Sequence, residues 1–268
     1  MGTFETGAGL RPARERATLA AMIEARELTK IYEGTRDGSV TAADHVSFRC
    51  EAGQVFGLLG PNGAGKTTTL RMLSTVLTPT SGTATVAGCD VTVDPAAVRE
   101  KIGFLSGETG LYGRLTAGEL VEYFGRLFGL DPALARRRVD TLFDRFDLRE
   151  FRNVRCEKLS SGNKQKVNIA RTLVHDPPVL ILDEPTQALD VITARAIVEF
   201  IRECRAQGKC VLFSTHILSE AERLCDQIAI IHRGRIWATG TPEELKTRTG
   251  QRTLEDAFLK LVEEDAAA

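Results

Sequence analysis

The chain has 268 residues, of which 43% are hydrophobic and 26% are charged, and its formal net charge at pH 7 is −1. That length allows an ample hydrophobic core in one large domain or two small ones. A net charge so close to zero argues against bulk electrostatic binding to nucleic acid, so we expect no nucleic-acid partner.

The N-terminal part of the chain divides into an unpatterned stretch and a β-rich region. Residues 1–21 mix Gly, Ala, Arg and Glu without periodicity, and we interpret them as a flexible extension. The segments Ile23–Leu28 and Val46–Cys50 alternate in polarity, which predicts two strands. The polar segment Tyr32–Gly38 is predicted to be a loop between them.

The next region combines a short buried strand with a glycine-rich loop. The apolar run Val55–Leu59 predicts the strand, and Thr68–Leu73 predicts a helix after the loop. The sequence between them fits the pattern G-x-x-x-x-G-K-[ST] at all four fixed positions, which disfavours a chance glycine-rich turn. These four positions are Gly60, Gly65, Lys66 and Thr67.

This strand–loop–helix arrangement suits the phosphates of a nucleoside triphosphate. The glycines let backbone N–H groups point inward, and the helix N-terminus favours anions. The ammonium of Lys66 can reach the β- and γ-phosphates, and the hydroxyl of Thr67 can bind Mg²⁺. We therefore predict that the nucleotide contacts nine consecutive residues, namely Gly60, Pro61, Asn62, Gly63, Ala64, Gly65, Lys66, Thr67 and Thr68.

A helical region follows two further strands. Thr83–Val86 and Ile102–Leu105 are predicted to complete the first, β-rich lobe. A capping box at Thr116 and the start signal Asp131-Pro132 then indicate two helices with apolar stripes. We expect a helical subdomain over about residues 116–175.

Strand–helix alternation returns in the last third of the chain. Val179–Asp183 and Cys210–Ser214 have the apolar composition of strands in a parallel sheet. Gln227–Ile231 and Ile236–Ala238 are predicted to be two more strands. We expect one principal domain over residues 22–240 and a helical tail over residues 241–268.

Two of these strands end in residues suited to phosphate chemistry. Asp183 and Glu184 end the first, His216 follows the second, and ligands of open α/β sheets bind beyond the carboxyl ends of strands. We predict that Asp183 holds Mg²⁺, directly or through water, and that Glu184 polarises the water that attacks the γ-phosphate. His216 is a candidate to bind that phosphate or orient the water, although lone histidines at strand ends are more often structural.

The order and spacing of these motifs resemble those of the ATP-binding cassette (ABC) ATPases over about residues 23–240. The five residues from Leu159, Leu-Ser-Ser-Gly-Asn, are similar to that family's Leu-Ser-Gly-Gly-Gln signature, and Ala188-Leu189-Asp190 also matches. The resemblance implies an α/β phosphate-loop NTPase of ABC type. Its expected parts are a mixed or parallel sheet core, a β-rich lobe and a helical signature subdomain.

The resemblance also implies further nucleotide contacts. Tyr32 matches the aromatic residue that stacks on adenine, and a half-buried loop tyrosine is the alternative. Ser160 and Gly162 match residues that touch the γ-phosphate of the partner's ATP, and Asp190 matches a residue that bridges two cassettes.

A head-to-tail dimer with two ATP molecules between its subunits is a further implication of the resemblance. ATP and Mg²⁺ are the implied cofactors, with Thr67 and Asp183 at the metal. Lys66, Glu184 and His216 are the implied catalytic residues, and His216 matches the family's switch histidine.

Two departures from the family pattern stand out. Ser161 and Asn163 replace Gly and Gln in the signature. After the strand Ile102–Leu105 the family usually has Gln, whereas this chain has Gly107, which has no side chain to ligate Mg²⁺. We expect Glu108 or a water to take the place of this Mg²⁺ ligand. The expected rate of ATP hydrolysis is slow to ordinary.

The sequence around the motifs resembles that of the ATPase subunits of bacterial two-component exporters, a group with sodium-efflux and drug-efflux members. The most apolar runs have only four residues, so we expect separate permease chains to form the pore and this chain to lie at the cytoplasmic membrane face. Sodium is the leading substrate expectation, beside drugs and polysaccharides. The loop Ser106–Leu115, with Leu111 and Tyr112, is the expected permease contact.

Three other functions fit the sequence less well. A soluble ABC ATPase with a non-membrane partner is the principal alternative, but translation factors of that kind resemble two cassettes in one chain, and repair ATPases carry a long coiled-coil insertion. A GTPase would need Asn-Lys-x-Asp, whereas Asn163-Lys164-Gln165-Lys166 ends in Lys. A non-hydrolysing interaction module would not need Lys66 and Glu184.

Overall fold

A computed structural model describes residues 21–35, 38–107, 110–187 and 189–267. The predicted extension (residues 1–21) lies outside the described residues except for its last position, and Glu108 and Ala188 also lie outside them. The strands are β1 (Ala21–Thr35), β2 (Gly38–Glu51), β3 (Val55–Leu59), β4 (Ser81–Val86), β5 (Cys89–Asp90), β6 (Ile102–Leu105), β7 (Val179–Asp183), β8 (Cys210–Thr215), β9 (Gln227–His232) and β10 (Arg235–Gly240). The helices are α1 (Lys66–Leu73), α2 (Pro95–Lys101), α3 (Ala117–Leu127), α4 (Pro132–Arg145), α5 (Ser161–Leu173), α6 (Val191–Ala206), α7 (Leu218–Leu224), α8 (Pro242–Thr249) and α9 (Leu254–Ala267).

The strands form two sheets. The larger sheet has the order β10-β9-β3-β8-β7-β6, in which β9, β3, β8, β7 and β6 run parallel and β10 is antiparallel. The smaller, antiparallel sheet has the order β2-β1-β4-β5. The predicted α/β fold with a mixed sheet core and a β-rich lobe is confirmed.

The larger sheet is buried on both faces. Along β3, Phe56 and Leu58 pack into one apolar cluster with β1, β2 and α1, whereas Val55 and Leu59 pack into another cluster on the opposite face with α5 and α6. Successive side chains of a strand point to opposite faces, so an uninterrupted apolar run is what such a strand requires. The six cysteines are free, and five of them are buried.

The β1–β2 hairpin is longer than predicted. Tyr32 was expected in a loop, but it lies in β1 and pairs with Val40 in β2. The two strands extend beyond the apolar pattern that predicted them. Their ladder needs only backbone N–H and C=O partners, so an exposed hairpin can continue through polar residues. Bulges interrupt the ladder, and Glu27 and His45 have positive φ values of 53° and 54°.

The assignment of the strand Ile102–Leu105 to the first lobe was wrong. This strand is β6, and it pairs in parallel with β7 at the edge of the larger sheet. Strand pairing between residues so far apart in the chain depends on tertiary packing, which a local pattern does not specify.

The helical region packs against the larger sheet through α3, α4 and α5. Thr116 forms the predicted capping box with Glu119, and Asp131 caps α4 at its N-terminus. Buried side chains from all three helices, among them Leu120, Val139 and Ile169, join the cluster that covers Leu180 and Leu182 of β7. Within the described segments, no helix combines the length and the hydropathy needed to cross a bilayer.

Candidate active site

The phosphate loop is held between the two sheets where β3 meets α1. Gly65 is the N-cap of α1 with φ of 102°, a conformation that favours glycine. A side chain at Gly60 would collide with the carbonyl oxygen of Ile231, and one at Gly65 with that of Ala42. The loop therefore keeps its path through close backbone contacts, which leave the N-terminus of α1 free to meet an anion.

Lys66 is almost completely buried, with 4% of its surface exposed. Its ammonium donates hydrogen bonds to the carbonyl oxygens of Gly60 (2.8 Å) and Pro61 (3.1 Å). It also lies 3.3 Å from Oε1 of Glu184. The positive charge is thus folded back over the phosphate loop and paired with a carboxylate at the end of β7.

Glu184 is the centre of a three-residue group. Its Oε1 faces Lys66, and its Oε2 lies 3.2 Å from Nδ1 of His216. Its backbone has φ of 46°, a left-handed conformation that is uncommon for Glu and is found at functional sites. The structure therefore brings together the three residues that the sequence predicted to be catalytic.

Ser214 is a site residue that the sequence reasoning missed. Its hydroxyl donates a 2.6 Å hydrogen bond to Oδ1 of Asp183 and accepts one of 3.0 Å from the backbone N–H of Glu184. Ser214 is fully buried and lies opposite Asp183 in the parallel β7–β8 register. The available signal was a serine at the end of an apolar strand beside the strand that carries both carboxylates.

The donor set near the loop suits Mg²⁺. The described residues contain no group of three or more His, Cys, Asp or Glu side chains that could hold a metal ion by itself. Mg²⁺ commonly takes one or two protein oxygens and completes its shell with phosphates and water. The Thr67 hydroxyl at the start of α1 and the Asp183 carboxylate at the end of β7 provide oxygens of that kind.

The signature residues form a second group around the starts of α5 and α6. The Ser160 hydroxyl caps α5 by accepting from the Asn163 N–H at 3.3 Å. Asp190 caps α6 and accepts a 2.7 Å hydrogen bond from the Thr193 hydroxyl. Hydrogen bonds from Thr193, first from its backbone N–H, lower the pKa of Asp190. A side chain added at Gly162 would meet this Thr193–Asp190 pair, so the two helix starts lie close together.

The two groups are connected through Gln165, which the sequence reasoning also did not single out. Its side-chain amide donates a 2.9 Å hydrogen bond to the carbonyl oxygen of Pro185, the residue after Glu184. A displacement of α5 would therefore act on the backbone directly after Glu184.

Tyr32 lies on the hairpin that contacts the phosphate loop. It is 38% exposed, and the ammonium of Lys30 lies 5.6 Å from its ring centroid. Its partner Val40 stands two residues before Ala42, whose carbonyl oxygen packs against Gly65. An exposed aromatic ring near the loop is compatible with stacking on a base.

Gly107 reaches the site from the end of β6. A Cβ atom at this position would lie 3.7 Å from the carbonyl oxygen of Asp183, which is ordinary contact. The structure therefore leaves room at position 107 for the glutamine side chain that the family usually has there. The expected substitute, Glu108, lies outside the described residues and stays a prediction.

Comparison with known proteins gives a consistent result. A profile of the ABC transporter family matches residues 43–187, more than half of the chain. The chain is 44% identical over 225 residues to the ABC transporter ATP-binding protein NatA of Bacillus subtilis, a match that covers 83% of this chain and 92% of that protein. It is 41% identical over 232 residues to the daunorubicin/doxorubicin resistance ATP-binding protein DrrA of Streptomyces peucetius, covering 87% of this chain and 69% of that protein.

Solved structures agree with this fold. The ATP-binding subunit of an ABC transporter superposes with a TM-score of 0.81 at 30% identity, over 90% of this chain and 99% of that one. A dimeric ATP-binding cassette in a post-hydrolysis state with ADP and Pi superposes with a TM-score of 0.76 at 26% identity, over 82% of this chain and 98% of that one.

Proposed function

This chain belongs to the ABC transporter family as an ATP-binding and ATP-hydrolysing cassette, and from that premise we propose that it energises an exporter whose pore is formed by separate membrane subunits. The observation that carries the proposal is the contact of Lys66, Glu184 and His216 beside the phosphate loop. It supports a hydrolysing cassette over a non-hydrolysing interaction module, because an interaction module has no need of a positioned base.

The proposed mechanism starts from the ion pair between Lys66 and Glu184. A γ-phosphate in the loop draws the Lys66 ammonium away from the carbonyl oxygens of Gly60 and Pro61 and from Oε1 of Glu184. Oε1 is then free to accept a hydrogen bond from the attacking water, while His216 keeps its contact with Oε2. Phosphoryl transfer depends on such positioning and on charge stabilisation.

Mg²⁺ would be held by Thr67 and Asp183. When bound, the ion would supply the positive charge that offsets the negative charge developing on the phosphate oxygens. Ser214 fixes Asp183 for this role, since its hydroxyl holds Oδ1 at 2.6 Å. Asp183 thus keeps its other carboxylate oxygen for a ligand.

Tyr32 is the proposed adenine contact, and the signature residues are the proposed contact with a second ATPase subunit. Ser160 and Asp190 are exposed, and Val191 and Ile192 beside Asp190 are more than four-fifths exposed. A head-to-tail dimer would cover these apolar side chains and place Ser160 and Gly162 against the partner's nucleotide. The solved dimeric cassette with ADP and Pi supports this arrangement.

The membrane subunit is proposed to dock beside α3, at the cytoplasmic face of the membrane. Tyr112 is 57% exposed and belongs to the loop between β6 and α3. That loop also contains Gly107, which lies near Asp183, so docking there would act on the site. The name of the daunorubicin/doxorubicin resistance relative favours an exporter over a soluble ABC ATPase. Sodium, the leading expectation from the sequence, and these two drugs are the first substrates to test.

ATP-dependent dimerisation of Glu184→Gln, measured by light scattering with Mg²⁺ and ATP, tests the proposed function. We expect hydrolysis to fall at least a hundredfold, because the water loses its base, and a dimer to accumulate because ATP persists. Ser160→Arg should abolish this dimer, whereas Ser81→Arg, a change at an exposed serine of the smaller sheet, should not. A monomer in ATP, with Glu184→Gln still active, would refute both assignments.

A further inference from the structure

The two segments that carry Glu184 and His216 leave the larger sheet just before the site. The parallel ladder between β7 and β8 ends with the pair Asp183–Ser214. Beyond that pair the backbone of Glu184 has φ of 46°, so the chain turns out of the strand direction. The 3.2 Å contact between Oε2 of Glu184 and Nδ1 of His216 is therefore not fixed by ladder hydrogen bonds.

One carboxylate of α7 connects these two segments. Oε2 of Glu220 accepts a 2.8 Å hydrogen bond from the hydroxyl of Thr186, which lies shortly after Glu184 in the chain. The same oxygen accepts a longer hydrogen bond, of 3.3 Å, from the hydroxyl of Thr215, the residue before His216. Both threonines are buried, so water competes little for their hydroxyls. The two segments thus share a single acceptor atom.

The position of Glu220 in α7 would suit a different task, namely capping its own helix. It is the third residue of α7, and at the same position Glu119 of α3 and Glu244 of α8 return to the N-cap N–H in a capping box. In α7 the N-cap is Ile217, whose N–H donates instead to the Thr215 hydroxyl at 2.9 Å. The Glu220 carboxylate is therefore directed at the segments beside the site and not at its own helix.

We propose that Glu220 is a positioning residue for ATP hydrolysis, which holds the segment after Glu184 and the strand before His216 at a fixed separation. The proposal rests on the proposed function, since it requires Glu184 to act as the base and His216 to hold it. A carboxylate oxygen has lone pairs for two donors, so one atom can fix both threonine hydroxyls. Without that atom the Glu184 carboxylate and the His216 ring are free to separate, and a misplacement of about 1 Å can slow a reaction by roughly a hundredfold.

Steady-state ATPase assays of the full chain with Glu220→Met test this role. Met has a similar length but no oxygen, so we expect kcat to fall about tenfold, whereas KM for ATP should change less than about twofold because the phosphate loop is untouched. Glu220→Gln keeps one carbonyl oxygen for the two hydroxyls and should retain about half of the kcat or more. Glu244→Met is the matched control, because it removes the glutamate at the same position of α8. It should lower the urea midpoint without changing kcat.

A double-mutant cycle with His216→Ala separates positioning from support of the fold. If Glu220 acts by maintaining the contact between Glu184 and His216, its removal has little left to disturb once His216 is absent. We expect Glu220→Met to lower the single-turnover rate of the His216→Ala chain by less than about twofold. A role in the fold alone would lower the rate by the same factor in both backgrounds.

The hydroxyl donor gives a second route if Glu220→Met does not fold. Thr186→Val removes the hydroxyl at nearly constant volume, and Thr186→Ser keeps it. We expect the valine variant to lose kcat by about the same factor as Glu220→Met and the serine variant to keep it, because the 2.8 Å hydrogen bond to Glu220 is the shorter of the two.

Four results would overturn the proposal. They are an unchanged kcat in Glu220→Met, a loss that Glu220→Gln does not restore, an equal loss in the His216→Ala background, and equal kcat in the two Thr186 variants. The proposed function fails separately, when Glu184→Gln still hydrolyses ATP and stays monomeric. An inactive, dimeric Glu184→Gln beside a fully active Glu220→Met would reject the positioning role alone.

Discussion

Asp183 and Glu184 are adjacent carboxylates with different surroundings. Asp183 is held by the Ser214 hydroxyl, whereas Glu184 lies between Lys66 and His216. The left-handed φ of 46° at Glu184 turns its side chain away from the direction that a continuing strand would impose. Ser214 touches both residues, because it also accepts the N–H of Glu184. One hydroxyl therefore positions the proposed metal ligand and the proposed base.

Ser214→Ala should damage catalysis more than stability. Losing one buried hydroxyl with two partners is expected to cost about 1–3 kcal/mol of the free energy of unfolding. Misplacement of the carboxylates should lower kcat by roughly ten- to a hundredfold. ATPase assays and urea unfolding measure the two effects.

Thr249→Val is the matched control for that serine. The buried Thr249 hydroxyl donates a 2.9 Å hydrogen bond to Leu245 in α8, far along the chain from the phosphate loop. We expect a comparable loss of stability with unchanged kcat. If both variants kept their full kcat, Ser214 would have only a structural role.

The sequence was sufficient for the residues that a fixed spacing identifies. Lys66, Glu184 and His216 come together as predicted, because strands of a parallel sheet end at one edge. Ser214 and Gln165 were missed because their roles arise from register and from helix–loop contact. A serine opposite Asp183 depends on the pairing of β7 with β8, which no local pattern in either strand encodes.

At the scale of elements, the capped N-termini of helices were predicted more accurately than the pairing of strands. The starts of α3 and α4 follow from Thr116 and Asp131, because a cap satisfies N–H groups within a few residues. The predicted length of the β1–β2 hairpin and the predicted placement of β6 in the first lobe were wrong, since both depend on partners elsewhere in the chain.

His175 connects α5 to the β-sheet edge. It follows α5, its Nε2 lies 3.0 Å from the carbonyl oxygen of Ile102 in β6, and its ring stacks on Phe128. Burial lowers its pKa below 6.5, so the unfolded chain binds a proton more readily than the folded chain. The neutral imidazole therefore supports the fold above pH 6.5, and that support is lost as the pH falls below 6.5 toward the folded pKa.

His175→Gln should remove part of this acid sensitivity. We expect the urea midpoint of the unmodified chain to fall between pH 7.5 and pH 5.5, and that of the variant to fall less. Asp44, Asp90 and Asp176 have lowered pKa values and titrate below 3.8, so they do not contribute in this range. An equal fall in both proteins would assign the acid sensitivity to other groups.

At the scale of the whole molecule, the phosphate loop is also a structural junction between the two sheets. The N–H of Gly234, in the β9–β10 turn, donates to Ala64 at 2.9 Å, and the carbonyl oxygen of Gly234 accepts from Asp44 in β2 at 2.8 Å. Phe48 of the smaller sheet stacks on Phe56 of the larger one at 5.2 Å. A ligand in the loop therefore contacts the segment at which the two sheets are joined.

Nucleotide binding should consequently raise the stability of the whole fold. A ligand that binds only the folded chain adds about 2.7 kcal/mol at a hundred times its Kd. For a chain of this size that corresponds to an increase in Tm of roughly 5–10 °C. Differential scanning calorimetry with Mg²⁺ and adenylyl-imidodiphosphate, an ATP analogue that resists hydrolysis, measures this increase without turnover.

Lys66→Ala should abolish the increase, because the γ-phosphate loses its ammonium and the Glu184 carboxylate loses its ion pair with Lys66. Lys246→Ala is the matched control. The side chain of Lys246 is 14% exposed and pairs with Glu222 at 3.0 Å and with Glu243 at 2.6 Å, but it belongs to α8. Its loss should lower Tm slightly and leave the nucleotide-induced increase intact. An equal increase in both variants would show that the nucleotide does not depend on Lys66, and the phosphate-loop assignment would then be wrong.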